Sequence, residues 1–201
     1  ERNELMSSRM AGSEEALATL TCAKIGGCAR IAGQAQPQLL IGGYGMGFTL
    51  RAALGALGGQ ARVSVAELVP EILLWARGPM AALTAGCLDD PRVAVVPGDV
   101  ADAIAAGQER YDAILLDVDN GPDGLVRDEN DRIYSRAGLL AAKLALRPGG
   151  ILAVWSAAPD KAFARRLKEA GFAVEEVEVR ARSTADGKGK GPKHVIWFGR
   201  K

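Results

Sequence analysis

Few of the residue types that build metal centres and charge-relay sites are present. The chain has one histidine, His194, and three cysteines, Cys22, Cys28 and Cys87, an odd number without metal-ligand spacing. A zinc centre and a Ser/His/Asp triad are thereby excluded, and the cysteines read as structural thiols of a reducing compartment. No apolar run approaches the roughly 20 residues of a membrane span, and no signal peptide is visible, so a cytoplasmic protein without a membrane partner is expected. An excess of either charge is missing too. Lys and Arg total 25 against 24 Asp and Glu, which gives no support to nucleic-acid binding.

Glycine is abundant, and one group of glycines organises the rest. The stretch Leu39 to Gly47, LLIGGYGMG, runs into FTLRAALGALG. A short apolar run, glycines at Gly43, Gly45 and Gly47, then a helical pattern describe a buried strand turning tightly into a helix whose amino end faces a ligand. Ahead of it, residues 1–37 form a leader in which Ser13 caps a helix running to about Ile25, a lid or packing helix. Gly26, Gly27, Gly33 and Pro37 mark the loop out of it. After the turn come ARVSVAEL (strand), VPEILLWARGPMAAL (helix), PRVAVVPGDV (strand), VADAIAAG (helix) and YDAILLDVD (strand). SRAGLLAAKLALRPGG (helix with a Pro-Gly-Gly stop), ILAVWS (strand), DKAFARRLKEAG (helix), FAVEEVEVRAR and HVIWFGRK (strands) complete the chain. Strands alternate with helices until the last two. This is an α/β chain with a largely parallel sheet, helices on both faces and an antiparallel hairpin at one edge.

In such sheets ligands bind beyond the carboxyl ends of the strands. Those ends carry the glycine turn with Tyr44, then Glu67 and Leu68, then Gly98, Asp99 and Val100, then Asp117 to Asn120, then Trp155 and Ser156. Glu67 follows the turn by about 20 residues, the spacing at which an acid accepts from both hydroxyls of a ribose. Asp99 could accept from the exocyclic amine of adenine or cap the next helix. Together these residues describe an adenosine-shaped slot. Phe48 stands where a dinucleotide fingerprint places its third glycine, which favours a ligand without a pyrophosphate. Tyr44 touches that ligand or packs, and Trp155 lines an acceptor pocket or belongs to the core. The loop after Asp117 concentrates Asp119, Asp123, Asp128, Glu129 and Asp131, which would attract a cation, with Asp128 to Asp131 read as a solvated surface. The basic segment Arg180 to Lys193 reads as a solvated loop on the site's side of the sheet that could fold over an anionic acceptor.

GGYGMG, AELVP, PGDV, YDAILLD and LRPGG before ILAVW resemble the successive motifs of the class I S-adenosylmethionine-dependent methyltransferases, specifically their spermidine-synthase (aminopropyltransferase) branch. The resemblance covers nearly everything from Leu39 onward. It implies a Rossmann-like fold with strand order 3-2-1-4-5-7-6 and an antiparallel last strand, residues 38–201 forming the donor-binding catalytic domain. It also implies Glu67 as ribose ligand, Asp99 as adenine ligand and Asp117 as the acid that receives or orients the acceptor amine. Asp119, Asn120, Tyr134 and Trp155 fall beside the acceptor. The pattern departs at Gly45, where the branch has an aspartate for the donor's aminopropyl arm. It departs again at Asn120, where the second aspartate of Asp-x-x-Asp belongs and Asp119 falls one place early, and at Val69 in place of the aspartate of VEIDP. On this reading the chain transfers a methyl group from S-adenosylmethionine to a small amine-bearing acceptor. The alternatives are aminopropyl transfer from decarboxylated S-adenosylmethionine and a non-catalytic nucleoside-binding partner subunit. Apolar leader and edge elements make a homodimer possible.

Overall fold

The computed structural model describes residues 11–32, 36–118, 121–122, 131–182 and 189–201. The elements in chain order are α1 (Gly12–Ala32), β1 (Gln38–Gly42), α2 (Phe48–Ala56), β2 (Arg62–Glu67), α3 (Pro70–Arg77) and α4 (Ala81–Thr84). A short 3₁₀ turn (Cys87–Asp89) precedes β3 (Val93–Pro97), α5 (Val100–Ala105) and β4 (Tyr111–Leu116). Then follow α6 (Asp131–Tyr134), α7 (Arg136–Ala145), β5 (Leu146–Ser156), α8 (Lys161–Glu169), β6 (Ala173–Arg182) and β7 (Lys190–Arg200). The strands form one seven-stranded sheet in the order β3-β2-β1-β4-β5-β7-β6. Neighbours from β3 to β5 are parallel and β7 is antiparallel to both β5 and β6, so β6 runs with the others. Order and direction match the expectation.

Successive side chains of a strand point to opposite faces, so the continuous apolar runs of β1, β4 and β5 feed two cores at once. Leu39, Ile41, Ala113, Leu115, Ile151, Ala153 and Trp155 pack with Leu17 and Ala18 of α1 and Leu50 of α2. Leu40, Ile114, Leu116, Leu152 and Val154 pack on the other face with Leu139 of α7 and Phe163 of α8. The sheet's central position for β1 and β4 follows from this two-sided burial.

Five expectations about the elements change, the last of them in the hairpin at the sheet edge. The leader helix does not stop near Ile25 but continues through Gly26 and Gly27 to Ala32. Glycine costs about 1 kcal/mol per residue in a helix relative to alanine, which weakens a helix without forbidding it once Leu17, Ala18, Cys22 and Ile25 anchor one face. Ser13 is no cap. It lies inside the first turn, fully buried, with Oγ hydrogen-bonded to His194 Nδ1 at 2.8 Å. The helix expected over 69–83 breaks into α3 and α4 at Gly78, where the Thr84 hydroxyl turns back to the Ala76 carbonyl at 3.0 Å. The Pro-Gly-Gly expected to stop α7 belongs instead to β5: Tyr111 pairs with Leu146 and Ala113 with Ile151, so Arg147 to Gly150 bulge opposite Asp112 alone. Pro148, which has no N–H for a ladder bond, is accommodated in that bulge.

Much of the segment Arg180 to Lys193 is strand rather than loop, since Arg180 pairs with Lys193 and Arg182 with Lys190 across the hairpin. Lys193 Nζ meets Glu178 Oε1 at 2.7 Å. Residues 183–188, and with them the idea of a flap over the acceptor, lie outside the described residues. Cys22 and Cys87 are buried free thiols, and the Cys28 side chain is outside the description. Among the described residues no helix is long and apolar enough to cross a membrane.

Candidate functional site

The turn after β1 is built from left-handed glycines. Gly43, Gly45 and Gly47 have φ of 82, 53 and 75°. At Gly43 the reason is close approach as well as backbone angle, because a Cβ there would fall 2.6 Å from the carbonyl oxygen of Asp117. At Gly47 a Cβ would meet the Tyr44 hydroxyl at 2.7 Å. Tyr44 folds back over Gly47 into the core, 4% exposed, and its hydroxyl lies 3.4 Å from Cys87 Sγ. Its ring therefore packs, while its main chain takes part in the site.

The part it takes is with Glu67. The carboxylate at the end of β2 is buried and accepts from the N–H of Tyr44 at Oε2 (2.8 Å) and from the N–H of Val69 at Oε1 (2.9 Å). One acid thus holds the glycine turn against the second strand and keeps a free lone pair on each oxygen. Leu68 beside it is 41% exposed. The next strand end is fastened to this one through Gly98, whose N–H donates to the Glu67 carbonyl at 2.9 Å. Asp99 caps α5, its Oδ1 accepting from the Ala101 N–H at 2.7 Å, and its Oδ2 is met by Arg132 Nη2 at 2.7 Å. Both uses weighed for Asp99 concern the same carboxylate, and the cap is the one formed here. Val100 is buried against Gly42.

Asp117 follows β4, its N–H donating to the Gly42 carbonyl at 3.0 Å. That bond sets the acid beside the glycine turn. The Thr49 hydroxyl from α2 donates to Asp117 Oδ2 at 2.8 Å and lies 3.4 Å from the Glu14 carbonyl oxygen of α1. Burial pushes the Asp117 carboxyl up to about 6, with the Thr49 hydrogen bond opposing. Glu14 is pushed further, to about 9, by burial first, then by the charges of Asp117 and Glu15. Near neutrality Asp117 is then mostly ionised while Glu14 keeps its proton.

That arrangement has a consequence for stability. Both folded-state values lie above the ordinary 4.5 of Glu14 and 3.8 of Asp117, so the folded chain holds protons that the unfolded chain has released. Stability is then lost as pH rises, from about 3.8 to about 6 for Asp117 and from about 4.5 to about 9 for Glu14. The thermal midpoint is expected to fall between pH 5 and pH 9, by about 2–4 °C per kcal/mol for a chain of this size, and Glu14→Gln is expected to flatten the fall. Melts at several pH values check it.

Trp155 closes the row at the end of β5. It is 9% exposed, stacks edge-on with His194 at 4.8 Å between centroids, and its Nε1 has no hydrogen-bond partner. Burial pushes His194 below its ordinary value, favouring the neutral ring. Tyr134 is placed differently. It lies in the core of the opposite sheet face, its ring edge-on to Phe163 and its hydroxyl reaching the Val118 carbonyl at 3.4 Å, one residue beyond Asp117. Asp119, Asn120, Asp123, Asp128 and Glu129 lie outside the described residues, as does the Asp131 side chain.

Sequence reasoning missed Glu14, Thr49 and Arg132 as neighbours of the strand ends. Thr49 stands two residues after the last glycine of the turn and was open to inspection. Glu14 carries no such signal, because an acid in the first turn of a helix is ordinary.

No family model matches the chain. It is 33% identical over 161 residues to the polyamine aminopropyltransferase of Mycobacterium tuberculosis, covering 76% of this chain and 30% of that protein. Polyamine aminopropyltransferase 1 of Streptomyces coelicolor is 31% identical over 149 residues, 70% of this chain and 27% of its own length. The chain thus spans less than a third of the curated relatives it matches. Among solved structures, spermidine synthase from Thermotoga maritima superposes with a TM-score of 0.71 at 18% identity, covering 95% of this chain and 60% of that one. A precorrin-6y C5,15-methyltransferase from Geobacter metallireducens gives 0.57 at 16% identity, covering 90% and 87%. Sequence likeness of that extent, on a fold that the solved structures share, makes the chain a spermidine synthase-like protein of the class I methyltransferase fold.

Proposed function

We propose that this chain transfers the aminopropyl group of decarboxylated S-adenosylmethionine to a small cationic amine of the polyamine type. The observation that carries the reading is Asp117, a carboxyl raised to about 6 and fixed by the Thr49 hydroxyl at the strand end next to the glycine turn. A base is most useful when its pKa lies near the operating pH. An alkylamine of pKa about 10.4 arrives protonated and has no lone pair for attack. Asp117 binds the ammonium and takes up its proton. The freed nitrogen lone pair then forms the new C–N bond in line with the breaking C–S bond, whose electrons leave with sulfur as methylthioadenosine.

The donor nucleoside fits the neighbouring strand ends. Glu67 has one lone pair left on each oxygen for the two ribose hydroxyls, and Asp99 Oδ2 would exchange or share Arg132 with the adenine amine. Residues 38–201 constitute the donor-binding unit on this reading, with the leader contributing α1 over the acceptor side. Burial between these elements excludes water, and alignment of the two reactants supplies up to roughly 7–11 kcal/mol of the barrier reduction.

One observation favours methyl transfer instead: Gly45 leaves the glycine turn without a side-chain carboxylate for the aminopropyl amine. Calorimetric titration with both donors separates the two. A preference of at least about tenfold, equivalent to 1.4 kcal/mol, for the decarboxylated donor is expected. The reverse preference would assign methyl transfer. Binding of neither would remove the transferase reading and leave the nucleoside-binding subunit to be tested with methylthioadenosine.

A further inference from the structure

The sheet has two edges, and they differ. At one, β3 is five residues long and ends at Pro97, which has no N–H to offer a neighbour. At the other, β6 runs for ten residues without a proline, and among the described residues only β7 pairs with it. Its outer side therefore presents a row of unused N–H and C=O groups, the arrangement that templates pairing with another strand.

The side chains of β6 divide by face. Glu175 meets Lys24 of α1 at 2.6 Å, Val177 and Val179 pack on the core beneath that helix, and Ala181 is fully buried. The other face carries Glu176, Glu178, Arg180 and Arg182, all exposed. Where the register shifts near Arg180, the additional residue lies on β7, so the alternation along β6 is unbroken. Glu176 accepts from Trp197 Nε1 on Oε2 (3.0 Å), Glu178 meets Lys193 Nζ through Oε1 (2.7 Å), and Arg180 Nη1 donates to the Gly191 carbonyl (3.1 Å). Each keeps a further oxygen or N–H group for a partner.

Charges on an edge strand ordinarily keep copies of a protein apart. In a two-fold antiparallel pair, directly opposite residues share a face, so the axis passes through a residue. An axis through Glu176, Glu178 or Arg180 sets that charge against itself, one through Val177 sets Glu176 against Glu178, and one through Ala181 sets Arg180 against Arg182. Like charges in these positions are destabilising. Only an axis through Val179 opposes unlike charges throughout, Glu178 to Arg180 and Glu176 to Arg182.

We propose that β6 is a self-recognition edge, through which two copies of this chain join about a two-fold axis at Val179 into one continuous sheet, each of these two ion pairs forming twice. The occupant is a second copy because the charge order that β6 requires of an antiparallel partner is its own. Main-chain bonds and charge order bring the copies together, not an apolar edge, and the pairing is independent of the transfer reaction.

Sedimentation equilibrium of the whole chain tests it. Wild type should dimerise at about 100 μM chain, and the dimer should weaken in about 1 M salt, where screening acts within roughly 3 Å. Glu178→Arg and Arg180→Glu are exposed changes that should melt as wild type does. Each should weaken dimerisation at least about tenfold by opposing like charges beside the axis. A one-to-one mixture of the two should restore it, because one variant is basic at both positions and the other acidic. The double exchange Glu178→Arg with Arg180→Glu should dimerise as wild type does. Monomeric wild type at that concentration overturns the proposal. So does a dimer that both single variants retain, which would place the interface elsewhere, and so does failure of the mixture or of the double exchange to associate.

Discussion

Asp117→Asn is expected to lower turnover by about 10²- to 10⁴-fold, the range contributed by a positioned acid or base, while leaving donor affinity close to that of wild type. Asparagine keeps the shape and can still accept from the Thr49 hydroxyl through Oδ1, so geometry is preserved and only the proton acceptor is removed. The pH profile separates this from a structural effect. In wild type, activity should rise as pH passes through about 6, where Asp117 ionises, and the variant should lack that limb. Stability should not suffer, because one member of a repelling carboxyl pair has become neutral and Glu14 returns toward its ordinary value. Undiminished turnover in Asp117→Asn would falsify the assigned mechanism.

Gly43→Ala is expected to damage both fold and binding. A non-glycine residue at φ of 82° is strained by about 1–3 kcal/mol, and its Cβ would lie 2.6 Å from the Asp117 carbonyl oxygen, a backbone atom that cannot swing aside. Asp117 is fastened to β1 by its N–H, so displacing its peptide opens the β1–β4 junction and moves the Asp117 carboxyl. The thermal midpoint should drop by about 2–4 °C for each kcal/mol, and methylthioadenosine should bind at least about tenfold more weakly. Gly55→Ala is the matched control. A Cβ at Gly55 in α2 meets nothing within 4 Å, and removing a helical glycine should stabilise by about 0.4–1 kcal/mol. Equal melts for the two variants would show that the turn tolerates a side chain and that its glycines are not what fixes the site.

The contrast between these glycines shows what the chain's sequence conveys. Gly43 and Gly55 are alike in sequence, each beside small or apolar residues. The first was legible because it follows the apolar run 39–42 and recurs at alternate positions, a pattern that requires a turn. Glu67, Asp99 and Asp117 were legible for a similar reason: each directly follows a strand, and in a parallel sheet all strand ends meet along one edge. Local pattern therefore carries the fold class, the strand order once the resemblance is admitted, and the line of residues along which a nucleoside would lie.

Contacts between residues distant in sequence could not be read this way. The helix α1 looks like an ordinary leader, and nothing near Glu14 reveals that Thr49 and Asp117 lie across from it, or that Ser13 reaches His194 on β7. Whether Tyr44 faces a ligand or the core was equally open, since a ring at a strand or loop end has one spelling for both. Periodicity and strand-end position, local properties of the chain, were enough for a parallel α/β sheet with a glycine turn and three acids along its carboxyl edge. That the first turn of α1 reaches Thr49 beside Asp117, and that Asp99 is engaged by Arg132, follows from which surfaces the helices cover, and so from the folded chain alone.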